Sequence, residues 1–386
     1  MGKIGICACY DTFNYGSMLQ TMATLKQLEI MGYEYEIINY SRKLTVDLLF
    51  RSIGRIPEEL HERIIKKKKQ KQMSAHPNIK VAIQQRNSCF KDFIETHFVD
   101  KLSEPCDTYK QLQIIATHYD AVLVGSDQLW TPRGYSTGFY NLMFVPDEIP
   151  KLAYATSFGV SSIPENKKGI AKRFLNRMNY ISVRELCASE IVNELTGRDV
   201  PTVVDPTLLF SGDEWKKMVG ERHILNYKYI FCYFLGNNPE QRREVEKLQQ
   251  ETGYKIVCIP HLDEFIEEDV EFGDEQLFNV GPAEFVNLIR HAEYICTDSF
   301  HGSVFSILNH KQFITFNRFK ASDTNSRNSR IDSLFKQTDL QDRRFNGNLI
   351  DSIQCPIAYE QVEDSLIEMR KKSLDYLEKA LGNTVK

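Results

Sequence analysis

Short apolar runs that end in polar residues and pass straight into helical spacing recur along this chain. KIGICACY ends at Asp11-Thr12-Phe13-Asn14-Tyr15-Gly16, and SMLQTMATLKQLEIMG follows with Met18, Met22, Leu25 and Leu28 on one helical face. Gly32 reads as the helix stop and YEIINY as a second strand. This β-loop-α-β beginning predicts a parallel sheet with helices on its faces. YDAVLVGSDQLW, KLAYATSFGV, Ile181–Val183 and VPTVVDPTLLF continue as strands. After SGDEW the alternation restarts with YIFCYFLG, YKIVCIP, YICTDS and QFITF as strands. Helices PEQRREVEKLQQETG, PAEFVNLIRHAE and HGSVFSILNH lie between them, and QVEDSLIEMRKKSLDYLEKAL closes the chain as a long amphipathic helix. The expectation is two successive α/β domains, 1–207 and 208–386, with the closing helix in the second. A helical insertion is expected at about 44–100. Ligands of open α/β sheets bind at the carboxyl ends of the strands, and two such edges can face one cleft.

At 386 residues the chain is long enough for two cores. A hydrophobic share of 42% with 26% charged residues is that of a soluble globular protein. A formal net charge of −4 gives no overall pull toward nucleic acid. No apolar stretch approaches the ~18–20 residues of a membrane span. MGKIGICACYDTF is too short in its apolar part for a signal peptide, so a cytoplasmic location is expected. Nine scattered cysteines suit a reducing compartment and read as small core residues. No C-x-x-C, paired Cys/His pattern or Asp-x-Asp is present, so no metal is expected. Neither G-x-G-x-x-G nor a P-loop occurs, which leaves nicotinamide and ATP without motif support.

Four strand-end loops carry the polar residues. The first runs from Asp11 through Asn14, Tyr15 and Gly16 to Gln20, at a helix start where free N–H groups attract anions. The second is Gly125-Ser126-Asp127-Gln128 and the third Ser182-Val183-Arg184-Glu185, whose arginine can fork onto a carboxylate or phosphate. In the fourth, Thr297-Asp298-Ser299-Phe300-His301-Gly302, Asp298 or Ser299 caps a helix whose first turn holds His301. An imidazole there can exchange a proton near neutral pH. Each loop also has a plainer reading: a turn, a helix cap, or a surface ion pair of Arg184 with Glu185 or Glu190.

Taken in order, DTFNYGSMLQ, VLVGSDQLW, YATSFG, SVRE, VVDPTLL and TDSFHGSVFSI resemble the polysaccharide pyruvyl transferase family, and NSRIDSLF resembles a downstream family segment. The resemblance implies two Rossmann-like domains of the B-type glycosyltransferase kind, with the acceptor on the first and the donor on the second. It implies transfer of the pyruvyl unit of phosphoenolpyruvate to a sugar hydroxyl, as a ketal, without a further cofactor. Arg184 corresponds to the family's arginine, the clamp for the donor's anion, and His301 to its C-domain histidine, the general acid. Relatives often carry a basic residue two positions before that histidine, where this chain has Ser299; Arg318, Lys320 and Arg330 are the nearest basic residues to take that part.

The implied partners are phosphoenolpyruvate and a sugar or lipid-linked oligosaccharide acceptor. The basic block Arg63-Ile64-Ile65-Lys66-Lys67-Lys68-Lys69 is either a solvated helix face or a weak dock on an anionic inner-membrane surface. A sugar-nucleotide glycosyltransferase and a non-catalytic glycan-binding protein of the same architecture remain alternatives.

Overall fold

The computed structural model describes residues 2–41, 77–318 and 329–385. Two five-stranded sheets form, both entirely parallel. The first contains β1 (Lys3–Cys7), β2 (Glu34–Ile37), β3 (Ala121–Val124), β4 (Lys151–Thr156) and β5 (Tyr180–Val183), in the order β2-β1-β3-β4-β5. The second contains β6 (Tyr229–Tyr233), β7 (Lys255–Cys258), β8 (Glu275–Gln276), β9 (Tyr294–Thr297) and β10 (Gln312–Thr315), in the order β10-β9-β6-β7-β8. Every residue of β3, β4 and β6 is buried. Helices on both faces of a parallel sheet demand this, and it explains why these strands read as unbroken apolar runs.

Each sheet reverses its winding once. The chain leaves β1 for β2 on one side and later reaches β3 on the other; β6 sends it to β7 on one side, and β9 comes to lie on the other. Right-handed crossovers then put the neighbouring helices on opposite faces, opening a crevice at the carboxyl ends of β1/β3 and of β6/β9.

The helix Tyr15–Ile30 is capped by Asn14, whose side chain accepts the Ser17 N–H at 3.1 Å. It stops before Gly32, whose φ of +80° suits a residue without Cβ. Of the expected insertion, the described part is the helix Pro77–His97; the basic block 63–69 and Lys320 lie outside the described residues. VPTVVDPTLLF does not form a strand. It makes a single bridge, Val183 to Thr202, and then a 3-10 turn at Pro206–Leu209. Pro201 and Pro206 lack ladder donors, and Asp205 is drawn into a side-chain cluster instead.

The chain divides into two compact units, Met1–Glu59 with Ile94–Leu209 and Ile367–Lys386, and Leu60–Phe93 with Phe210–Leu366. The closing helix, Tyr359–Gly382, was expected wholly in the second domain, yet its residues from Ile367 onward belong to the first unit. Val204 N–H donates to Ser373 Oγ at 3.0 Å, Tyr376 Oη to the Ala153 carbonyl at 2.9 Å and Arg370 Nε to the Leu208 carbonyl at 2.7 Å. These partners are remote in sequence, so amphipathic spacing alone does not reveal them. The described residues 77–93, expected in the first domain, likewise belong to the second unit, where Arg86 Nη1 meets Asp263 Oδ1 at 2.9 Å.

Gly302 lets the helix Phe300–Leu308 approach the end of β9: a Cβ there would lie 2.6 Å from Thr297 Oγ1. That hydroxyl is already committed, donating to the Tyr233 carbonyl at 2.6 Å and accepting the Ser299 N–H at 3.1 Å. Gly302→Ala is therefore expected to destabilise the protein by about 1–3 kcal/mol. Urea unfolding measures this, and an unchanged midpoint would mean that Thr297 gives way freely.

Candidate functional site

In the first unit the β1/β3 crevice is closed by a carboxylate. Asp127 follows β3 with a φ of +83°, a costly conformation for a residue with Cβ. Its Oδ2 accepts from Ser17 Oγ at 2.5 Å and its Oδ1 from the Gln128 N–H at 2.8 Å. The first turn of the β1 helix is thus tied to the β3 loop. Behind it lies Arg184, its side chain only 2% exposed. Arg184 Nη1 bonds Asp205 Oδ2 at 2.6 Å; Nη2 stands 3.8 Å from Asp127 Oδ1 and Nε 3.8 Å from Glu185 Oε2. Burial opposes the guanidinium's charge, but Asp205, Glu185 and Asp127 outweigh it and hold the arginine's pKa above its ordinary value.

Asp205 is the hub of this cluster. Besides Arg184, its Oδ2 lies 3.0 Å from Ser126 Oγ, while Oδ1 accepts Thr207 N–H at 3.1 Å and Thr207 Oγ1 at 2.7 Å. Glu185 accepts from Ser157 Oγ at 2.5 Å. The sequence reading took Asp205-Pro206 only as a strand breaker and overlooked Ser17 and Ser157. The signal available for Asp205 was its place in VVDPTLL, three residues beyond Thr202, the bridge partner of Val183.

Three expectations change here. Arg184 was read as an open fork for the donor's anion, but carboxylates surround its guanidinium. Gln20 is fully buried: its amide nitrogen donates to the Ser17 carbonyl and to Thr21 Oγ1, and so faces its own helix. Ser126 is also fully buried, its hydroxyl between the Ala155 carbonyl and Asp205. Neither offers a surface to a substrate in this conformation. Tyr15 and Gly16 are buried in the first helical turn, Asp11 is exposed in the loop before it, and Gln128 packs its side chain over Gly159.

In the second unit the β6/β9 crevice is bridged by Asp298. Its Oδ1 accepts the Leu235 N–H at 2.7 Å and its Oδ2 the Gly236 N–H at 2.9 Å. Burial raises its pKa above the usual carboxylate value, against the opposing pull of these N–H groups and of Arg318. The loop after β6 is braced from behind by Arg242, which donates to the Gly236 and Asn238 carbonyls, each at 3.1 Å, and pairs with Asp269. Of the two cap candidates, Asp298 and Ser299, it is Ser299 that caps, accepting the Gly302 N–H at 3.3 Å. His301 then stands in the first turn, 7% exposed, its ring edge-on to Phe300 at 5.1 Å.

Two basic residues reach this loop from beyond β10. The Arg330 guanidinium lies 5.6 Å from the Phe300 ring. The Arg318 stem packs above Gly236, 3.3 Å from where a Cβ would stand. Of the basic residues singled out in place of Ser299, both described ones therefore flank the loop of Asp298 and His301.

The family model for polysaccharide pyruvyl transferase matches residues 14–318. None of the curated proteins matches the chain. UDP-GlcNAc 2-epimerase from Neisseria meningitidis, solved with UDP-GlcNAc, is similar in structure at 10% identity, with 98% of this chain and 100% of that chain covered and a TM-score of 0.54. The S. aureus MnaA-UDP co-structure is similar at 13% identity, covering 99% and 97%, with a TM-score of 0.52. At such identities the likeness concerns the fold: two parallel-sheet α/β domains of the B-type glycosyltransferase kind.

Arg184→Met leaves the buried Asp205 and Glu185, and the half-buried Asp127, without their shared cation. A loss of about 3–5 kcal/mol is expected, since breaking a buried pair strands the remaining charge. Urea unfolding of variant and parent measures the loss, and an unchanged midpoint would mean that the carboxylates do not depend on the guanidinium.

Proposed function

Because the chain belongs to the polysaccharide pyruvyl transferase family, we propose that it moves the pyruvyl unit of phosphoenolpyruvate onto two hydroxyls of one sugar, as a ketal. The observation that carries the donor's identity is the pairing of His301, in a helix's first turn, with Arg318 and Arg330 beside the same loop. A helix N-terminus and two guanidiniums suit a small molecule bearing both a phosphate and a carboxylate.

The chemistry follows in order. Protonated His301 gives its proton to C3 of phosphoenolpyruvate, leaving an oxocarbenium-like centre at C2. One sugar hydroxyl adds to C2 and loses its proton. The C2–O bond to phosphate breaks, and the second hydroxyl adds and loses its proton. Of the two hydroxyl protons, one replaces that given by His301 and the other leaves with phosphate. Arg318 and Arg330 hold the donor's anionic groups, in place of the basic residue that Ser299 replaces. Arg184 is a positioning residue, orienting Asp127 and Asp205 at the first sheet's edge. That edge carries more carboxylate than cation, so it suits an acceptor's hydroxyl donors better than a second anion.

His301→Asn keeps a residue tolerated near helix starts but removes the acid. The expected outcome is a kcat lower by ~10²–10⁴, with donor affinity and melting temperature changed far less. Arg318→Ala or Arg330→Ala should weaken donor saturation about tenfold or more, as loss of a charge-assisted hydrogen bond implies. The deciding assay incubates the full chain with phosphoenolpyruvate and a panel of nitrophenyl and lipid-linked glycosides, reading phosphate release and the acceptor's mass gain. Turnover with nucleotide sugars in place of phosphoenolpyruvate would overturn the proposal.

No helix among the described residues is long and apolar enough to cross a membrane. The block 63–69 is proposed to favour anionic surfaces by ~1 kcal/mol per basic residue, which would bring the protein to a lipid-linked acceptor. Co-sedimentation with anionic liposomes at low salt, lost at high salt, is the expected result; no binding at low salt refutes it.

A further inference from the structure

Glu221 and His223 lie on the segment joining the helix Gly212–Val219 to β6. His291 is the last residue of the helix Pro282–His291. Though nearly seventy residues apart in sequence, these three side chains meet: one donor atom from each lies within 4.8 Å of the other two. The two imidazole rings face each other at 3.7 Å with a 33° tilt. The sequence, read for closely spaced ligand patterns, shows no metal-ligand cluster; the fold assembles this one.

The meeting has a built-in cause. Asn287 lies four residues before His291 and so on the same helical face. Its Nδ2 donates to the Gly220 carbonyl at 3.0 Å, and its Oδ1 accepts the Arg222 N–H at 3.4 Å. The backbone on either side of Glu221 is thereby pinned to the face from which His291 emerges, and His223 follows two residues on. The neighbouring Arg290 is tied off elsewhere, to Asn309 Oδ1 at 2.9 Å, to Asn287 Oδ1 at 3.1 Å and to the Gly212 carbonyl at 3.2 Å. The nearest competitor is Lys216, whose Nζ lies 2.7 Å from Glu221 Oε2. Its side chain is about half exposed and can swing into solvent.

We propose that Glu221, His223 and His291 bind one divalent transition-metal ion of the zinc type. Two imidazoles and a carboxylate are a borderline donor set that favours Zn²⁺, Co²⁺ or Ni²⁺ over Mg²⁺ and Ca²⁺. Closing a shell with bonds of about 2.0–2.2 Å asks only for small rotations of the side chains, and Glu221 and His223 are exposed. The cluster sits before the amino ends of β6 and β9, whereas Asp298 and His301 lie beyond the carboxyl end of β9. The ion is therefore a structural clasp between a loop and a helix end, and the pyruvyl-transfer chemistry does not pass through it.

The test uses the full chain, without an affinity tag and freed of metal by chelation. Calorimetric titration with Zn²⁺ should give one site per chain, and Mg²⁺ and Ca²⁺ should give no heat of binding. Co²⁺ should develop visible d–d bands without a thiolate charge-transfer band. Zn²⁺ should raise the melting temperature of the parent. His223→Ala, at an exposed loop position where folding is safe, and His291→Gln should each weaken Zn²⁺ binding at least tenfold and abolish the melting shift. Absence of one-to-one binding, a thiolate band, or binding unchanged in both variants would overturn the proposal.

Discussion

Both sheets of this protein depend on one topological constraint: each winds outward from its first strand and reverses once. At the reversal the helices leave to opposite faces, which opens a crevice at the strand ends. Something must tie the two loops across the opening. In the first sheet it is Asp127, reaching back to Ser17 in the helix after β1. In the second it is Asp298, accepting the two successive N–H groups of the loop after β6. Both are carboxylates, and both stand within three residues of a strand's carboxyl end. A short acceptor-only side chain is what free N–H and hydroxyl donors at these edges call for.

The two edges differ in charge, and this difference organises their chemistry. Around Arg184 one guanidinium serves Asp127, Glu185 and Asp205, so the cluster is anionic even with the arginine fully ionised. Such an edge repels phosphate. Around Asp298 a single carboxylate is held by backbone donors while Arg318 and Arg330 stand at its flank. That edge gathers positive charge next to a helix N-terminus. The two units thus provide one environment of each sign.

Much of this architecture was legible from residue order. The apolar runs of β1, β3, β4, β6, β7, β9 and β10 were visible because strands buried on both faces have to be continuously apolar. The cap before His301 was narrowed to Asp298 or Ser299 because capping is local, set within three residues. The six family segments and their spacing pointed to the family and the fold. Contacts at long range were not legible. VVDPTLL looked like a strand because its apolar content is strand-like, yet Asp205 is recruited by Arg184 from twenty-one residues away, and the ladder is reduced to one bridge. The two-residue strand β8 was missed because so short a stretch carries no periodicity.

By itself, then, the sequence determined where most of the strands run and where the helices after β1 and β9 begin. These are decided by burial of both sheet faces and by hydrogen bonds within a turn. Only the tertiary structure decided what each polar residue faces. Gln20 and Ser126 share loops with Asn14 and Asp127 and look equally available in the sequence, yet they turn into the core where their amide and hydroxyl find interior partners. Arg184 became an internal counter-ion, and the closing helix divided its residues between the two units. The physical reason is the same in each case. A buried polar group goes wherever its desolvation is compensated, and the partner that compensates it is chosen by the fold and not by the neighbouring residues.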